Sequence, residues 1–236
     1  MQIVIFLFDM VSGLAGIGIQ YIGQYGMIRK ILAEGKENTV DQIVSKGLQL
    51  LLRKHGRLRS VFVIIARFGY ILYILYGLLE WLRPGTVRER VYRRHTLLYC
   101  LCSVAAGSVV SFGIGRVWHR KRPFVQNKHI QDIIPHEANA SFPSNHSMNA
   151  MAVSLILLSR HNLLGLPFLI WSGILGLARI GCGIHYLTDV LGGFALGAGS
   201  AAFVRRSRTG GAAVSRLLWY YHIATTAVSV WWKKCH

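Results

Sequence analysis

Arg179, His185 and Asp189 stand at a spacing that suits chemistry on a phosphate. Four residues on a helix put His185 and Asp189 on one face. A carboxylate there can accept from one ring nitrogen, fix the tautomer and leave the other nitrogen free to attack. Arg179 offers a planar fork that matches phosphate oxygens. A second cluster, Pro143-Ser144-Asn145-His146, precedes an apolar helical run. A helix N-terminus favours bound phosphate, and His146 can protonate a leaving oxygen; Ser144 also reads simply as an N-cap. The third cluster runs from Arg116 to Pro123. Its His119, Arg120 and Lys121 read as membrane-edge residues that bind headgroups or snorkel, and Arg122 gains meaning only beside the other two clusters. Together the clusters supply a nucleophile, an orienting acid, a general acid and fixed guanidinium groups. That set fits metal-free phosphoryl transfer. No carboxylate cluster suited to magnesium lies in the same region. Cys100, Cys102, Cys182 and Cys235 show no metal-ligand spacing. Neither metal, cofactor nor disulfide is expected. The competing reading is a polar network in a non-catalytic lipid-binding membrane protein, since intramembrane charges also mark transporters.

The elements that must position these residues are apolar helices. Of 236 residues, 53% are apolar and 15% charged, against ~25% charged in soluble domains. Residues 61–82 read as a span interrupted by Arg67, and 96–115 are uncharged. Ala105, Ala106, Gly107 and Ser108 allow close helix contact there. Further apolar runs cover 147–159, 162–178, 180–204 and, more briefly, 217–232, whose Trp219, Trp231 and Trp232 suit an interface. Residues 10–28 are a glycine-rich candidate span. Residues 39–52 are amphipathic and belong on the membrane surface or beside the bundle. The N-terminus lacks the basic start of a cleaved signal peptide. The expectation is a single domain over 1–236: an all-α integral membrane protein of about six transmembrane helices with an added amphipathic or interfacial helix.

The net charge of +18 comes from 27 Lys plus Arg against 9 Asp plus Glu. The basic residues flank apolar runs and no nucleic-acid motif is present, so the charge points to membrane lipids and not to nucleic acid. The cluster Arg83, Arg88, Arg90, Arg93 and Arg94, expected in a loop, and the cluster Arg205, Arg206 and Arg208 read as cytoplasmic. Alternating spans then put 116–145 and His185 at the outer face. If 10–28 also crosses, the basic segment 29–59 lies outside against the rule. The sequence leaves that choice open.

The three clusters, in this order over roughly 60–205, resemble the type-2 phosphatidic acid phosphatase superfamily, whose motifs are Lys-(x6)-Arg-Pro, Pro-Ser-Gly-His and Ser-Arg-(x5)-His-(x3)-Asp. The resemblance implies that His185 is the nucleophile and becomes a phosphohistidine. It makes Asp189 its partner and His146 the general acid, with Arg116, Arg122, Ser144, Asn145 and Arg179 binding phosphate. Gly115 stands where the family has lysine, and Arg116, one place later, is expected to substitute for it. Asn145 replaces the motif glycine and Ala178 the serine. The stretches Ile134–His146 and Arg120–Val125 resemble the bacitracin-resistance branch of undecaprenyl-diphosphate phosphatases. That implies a polyprenyl diphosphate substrate, a role in cell-wall synthesis, and a site at the outer face of the bacterial cytoplasmic membrane. A phosphatase for phosphatidic acid or phosphatidylglycerol phosphate is the enzymatic alternative. His136 and Glu137 are expected either to help read the diphosphate or to pack a loop.

Overall fold

The computed structural model describes residues 39–160 and 162–235, with side chains for 40–160 and 162–227. The candidate span at 10–28 and the side chains of Trp231 and Trp232 lie outside the described residues. Among the described residues there are nine helices and no strand. They are α1 Thr39–Lys54, α2 Gly56–Phe68, α3 Ile71–Leu82, α4 Val87–Val117, α5 Pro123–Gln126, α6 Asn145–Ser159, α7 Gly165–Gly181, α8 Leu187–Arg206 and α9 Arg208–Cys235. The unit that carries the site runs Val44–His236.

Among the described residues two helices, α4 and α8, are long and apolar enough to cross a membrane, giving two spans, or three if α2 and α3 count as one bent span. The apolar stretch 61–82 is broken between α2 and α3 by a 50° bend. At that break Trp171 Nε1 donates to the Gly69 carbonyl at 2.9 Å, so a side chain from α7 takes up backbone hydrogen bonding there, a recognised cause of kinks. The arginine cluster expected in a loop is mostly helical. Thr86 accepts from Glu89 N at 3.3 Å and Glu89 Oε2 accepts from Thr86 N at 2.8 Å. This capping box starts α4 at Val87, and Arg88, Arg90, Arg93 and Arg94 are good helix formers in its first turns. Arg93 then donates to the carbonyls of Glu80 and Arg83 at 3.3 and 2.6 Å, tying α3 to α4.

The core is α6 packed on α8, with α4 and α7 closing around the pair. Small residues set the approach. A Cβ on Gly193 would stand 2.5 Å from the Ser144 carbonyl oxygen, and one on Gly197 would collide with the Met148 carbonyl. Glycine four residues apart lets the two backbones nearly touch. Gly107 of α4 fits the same way against Met148 and Ser200, as the small-residue stretch in 96–115 suggests. Gly197→Val is therefore expected to destabilise the protein by about 3 kcal/mol. Gly199→Ala, with open space around its Cβ, should leave the thermal midpoint in detergent unchanged or slightly raised.

Outside this core, Leu72, Leu75, Leu79, Leu101, Val109, Phe112, Ile170 and Phe203 are exposed. Apolar surface on that scale suits lipid better than water. The part of α1 from Val44 onward lies beside the bundle. Gln49 donates to the Gln131 carbonyl at 2.6 Å and accepts from Gln131 N at 3.1 Å, while Leu52 is fully buried.

Candidate active site

Helices α4, α6, α7 and α8 alternate in direction, so four ends meet on one side: the end of α4, the start of α6, the end of α7 and the start of α8. The long connection 118–144 folds over this end. Ser144 N donates to the Asp189 carbonyl at 3.0 Å and Ser141 N, two residues before the second cluster, to the Arg120 carbonyl at 2.9 Å, so main chain ties the 141–144 segment to both of the other clusters.

His185 lies in the short link between α7 and α8 and is 3% exposed. Its Nδ1 is 2.8 Å from the Ser141 carbonyl oxygen. A carbonyl can only accept, so Nδ1 carries the proton and Nε2 keeps its lone pair. That nitrogen faces Arg122 Nη1 at 3.5 Å and Arg179 Nη2 at 3.4 Å. Both guanidinium groups are almost fully buried and held from behind. Arg122 donates to Asn139 Oδ1 from Nε at 3.1 Å and Nη2 at 2.6 Å, and to the Ile184 carbonyl at 2.7 Å. Arg179 donates to the Ala66 carbonyl at 3.2 Å, while its buried Nε has no partner. Two fixed cations flanking a ring nitrogen with a free lone pair form a receptor for a tetrahedral anion that the nitrogen can attack.

His146, on the first turn of α6, stacks edge-on against Tyr70 at 5.5 Å. Arg179, His185, His136 and Arg122 all lie within electrostatic reach of it. His136 Nε2 is 3.5 Å from Arg179 Nη2, which puts this loop residue on the rim of the cluster. Ser144 is buried with its hydroxyl 3.0 Å from that of Ser147. Asn145 Oδ1 accepts from Ser111 Oγ at 2.5 Å.

Two residues stand differently from the expectation. Arg116 is exposed, its guanidinium 4.8 Å over the Phe112 ring, and the structure does not bring it to the cluster. A helix turns ~100° per residue, so at this point α4 turns Gly115 toward Ala140 and Phe142 and Arg116 outward. Asp189 lies 3.8 Å from His185 Nδ1, further than the Ser141 carbonyl. Its oxygens are taken by Tyr186 N at 2.8 Å, which caps α8, and by Arg120 Nη1 at 2.6 Å. Arg120 also donates to Thr188 Oγ1 at 2.6 Å and stacks on Tyr186 at 4.3 Å. By sequence alone Arg120 reads as a membrane-edge residue. Its place two positions before Arg122 was the available signal.

Burial pushes the His185 imidazole down to about 4, with Asp189 opposing the shift and the two arginines adding to it. Burial first, and then Arg122, also keeps His136 below its usual range. His185 is therefore neutral at Nε2 across pH 5 to 8. The unfolded chain binds more protons at this residue between its reference value of ~6.5 and about 4, so stability rises with pH through that window and is lost on acidification. The thermal midpoint in detergent should fall more steeply from ~pH 6.5 to 4 for the wild type than for His185→Asn.

The PAP2 superfamily profile matches residues 96–212. The undecaprenyl-diphosphatase BcrC of Bacillus subtilis strain 168 is 36% identical over 149 residues, covering 63% of this chain and 74% of the relative. The bacitracin transport permease protein BcrC of Bacillus licheniformis is 26% identical over 153 residues, covering 64% and 72%. Among solved structures, a transmembrane PAP2-type phosphatidylglycerolphosphate phosphatase from Bacillus subtilis matches with a TM-score of 0.53 at 24% identity, covering 79% of this chain and 95% of that one.

Proposed function

The chain belongs to the PAP2 superfamily, and we propose that it is the undecaprenyl-diphosphate phosphatase of a bacterial cytoplasmic membrane, removing the terminal phosphate of the lipid carrier used in cell-wall synthesis. The observation that carries this reading is His185 Nε2 set between Arg122 and Arg179, in a chain 36% identical to an undecaprenyl-diphosphatase. The terminal phosphate would sit between the two guanidinium groups. Nε2 attacks its phosphorus, the bond to the bridging oxygen breaks, and His146 gives that oxygen a proton. The lipid monophosphate leaves. Water then attacks the phosphohistidine, His146 takes the proton back, and inorganic phosphate is released. Asp189 and the Ser141 carbonyl hold the ring, and the positive charge that builds on it is stabilised by the Asp189 carboxylate. Asn145 lines the mouth on the α6 side, and Ser144 is buried behind it against Ser147.

The tail has a place to go. A cavity of about 510 Å³ opens beside Asn145 and His146 and runs between α3, α4 and α6, past Ile74, Leu78, Leu97 and Leu101. Its walls are mostly apolar, as a prenyl chain requires. The site end and the arginine-rich end lie at opposite ends of α4. From Arg94 to Arg116 the rise is ~33 Å, about one bilayer. Tyr92 on α4 donates to the Arg160 carbonyl, which joins the arginine cluster at the start of α4 to the end of α6. The positive-inside rule then supports a site facing outward in a multi-pass bundle of about six spans.

Purified protein should release phosphate from undecaprenyl diphosphate, faster than from phosphatidic acid or phosphatidylglycerol phosphate, and equally with a chelator present. Preference for a glycerolipid would replace the substrate assignment. No release from any of the three would support a binding protein instead.

A further inference from the structure

One turn along α6 from the mouth of the site, Asn149 carries an amide with nothing to bond. Its Oδ1 is shielded from solvent and has no hydrogen-bond partner. It lines the tail cavity together with Asn145 and His146. Asn145 is four residues earlier and so shares its face. Because Ser111 Oγ occupies Asn145 Oδ1, the NH2 is the end of that amide left to a ligand. The wall around them is largely Ile74, Leu97, Leu101, Val104 and Leu175. That orphan oxygen is an acceptor and gains nothing from phosphate oxygens, which also accept; the Asn149 NH2 is not shielded and is the end open to the cavity, so both amides present donors there.

We propose that Asn145 and Asn149 receive the phosphate that stays on the lipid, and so set a preference for diphosphates over simple phosphate esters. The inference rests on the diphosphatase reading. With the terminal phosphate at His185 and the bridging oxygen at His146, the second phosphate lies beyond His146 on the way to the tail cavity. The two amides are on that path. An amide presents NH2 donors to phosphate oxygens and carries no charge, so it helps a diphosphate bind without holding the monophosphate product as an arginine would. An ester whose leaving group is an alcohol carries no second phosphate on the bridging oxygen and gains nothing.

The test uses the full chain in detergent with farnesyl diphosphate as substrate and inorganic phosphate as competing ligand of the arginine pair. Asn149→Leu should lower kcat/KM for the diphosphate roughly tenfold or more. Asn149→Asp should lower it further, because its carboxylate repels the second phosphate. Inhibition by inorganic phosphate should shift by less than about twofold. The thermal midpoint of Asn149→Leu should not drop, since an orphan amide has been replaced by an apolar side chain of the same branching. Unchanged kcat/KM in both variants overturns the proposal. A loss matched by weaker phosphate inhibition and a lower midpoint also overturns it, because Asn149 is then structural. A wild type inert toward farnesyl and undecaprenyl diphosphates brings down the diphosphatase reading, and this inference with it.

Discussion

His185→Ala is expected to reduce phosphate release by at least ~10⁴-fold, because every step of the proposed covalent route passes through Nε2. The groups left behind, Arg122 and Arg179, can still hold phosphate but have nothing to attack it. Substrate binding should therefore survive better than turnover. His185→Asn is the more telling variant, since its amide can donate toward the Ser141 carbonyl that Nδ1 faces at 2.8 Å and so spare the loop. Brief incubation of wild type with terminally labelled substrate should leave an acid-labile phosphoenzyme, absent from both variants. Retained turnover in a well-folded His185→Asn would make the covalent route untenable.

Much of this site is legible in the sequence because side chains of fixed chemistry stand at fixed spacing. Arg122, His146, Arg179, His185 and Asp189 come from separate segments and are brought together at one end of the helices. What is hidden is what depends on backbone. The Ser141 carbonyl that orients His185 belongs to no motif, since any residue supplies a carbonyl. Arg116 and Arg120 look alike as letters, yet α4 continues to Val117 and turns one outward, while the chain turns at Trp118 and brings the other to Asp189. The bend at Gly69 is equally invisible in the apolar pattern of 61–82, because the Trp171 N–H that engages it comes from 102 residues further along the chain. Hydrophobic pattern reports burial and crossing; it does not report which carbonyl a distant side chain takes.

Arg120→Met is expected to lower kcat about 10²-fold and to cost about 2–4 kcal/mol of stability, although residue 120 never meets the phosphate in the proposed pathway. The Asp189 carboxylate is fully buried and is bonded by Arg120 at 2.6 Å, whose side chain is itself largely covered. Removing the cation leaves that carboxylate to recover a partner by turning toward His185 or by taking a proton. Either change alters the ring that Asp189 now steadies from 3.8 Å. Arg120→Lys keeps the charge but loses the fork that reaches Asp189 and Thr188 together and the stacking on Tyr186, so it should recover only part of the loss. The rival account, in which Arg120 simply attracts anionic lipid, predicts something different: a salt-sensitive rise in KM with kcat intact. A cycle with Asp189→Asn separates the two. If Arg120 works through Asp189, the double variant should be little worse than the worse single one, with a coupling of about 2 kcal/mol; headgroup attraction would make the losses add.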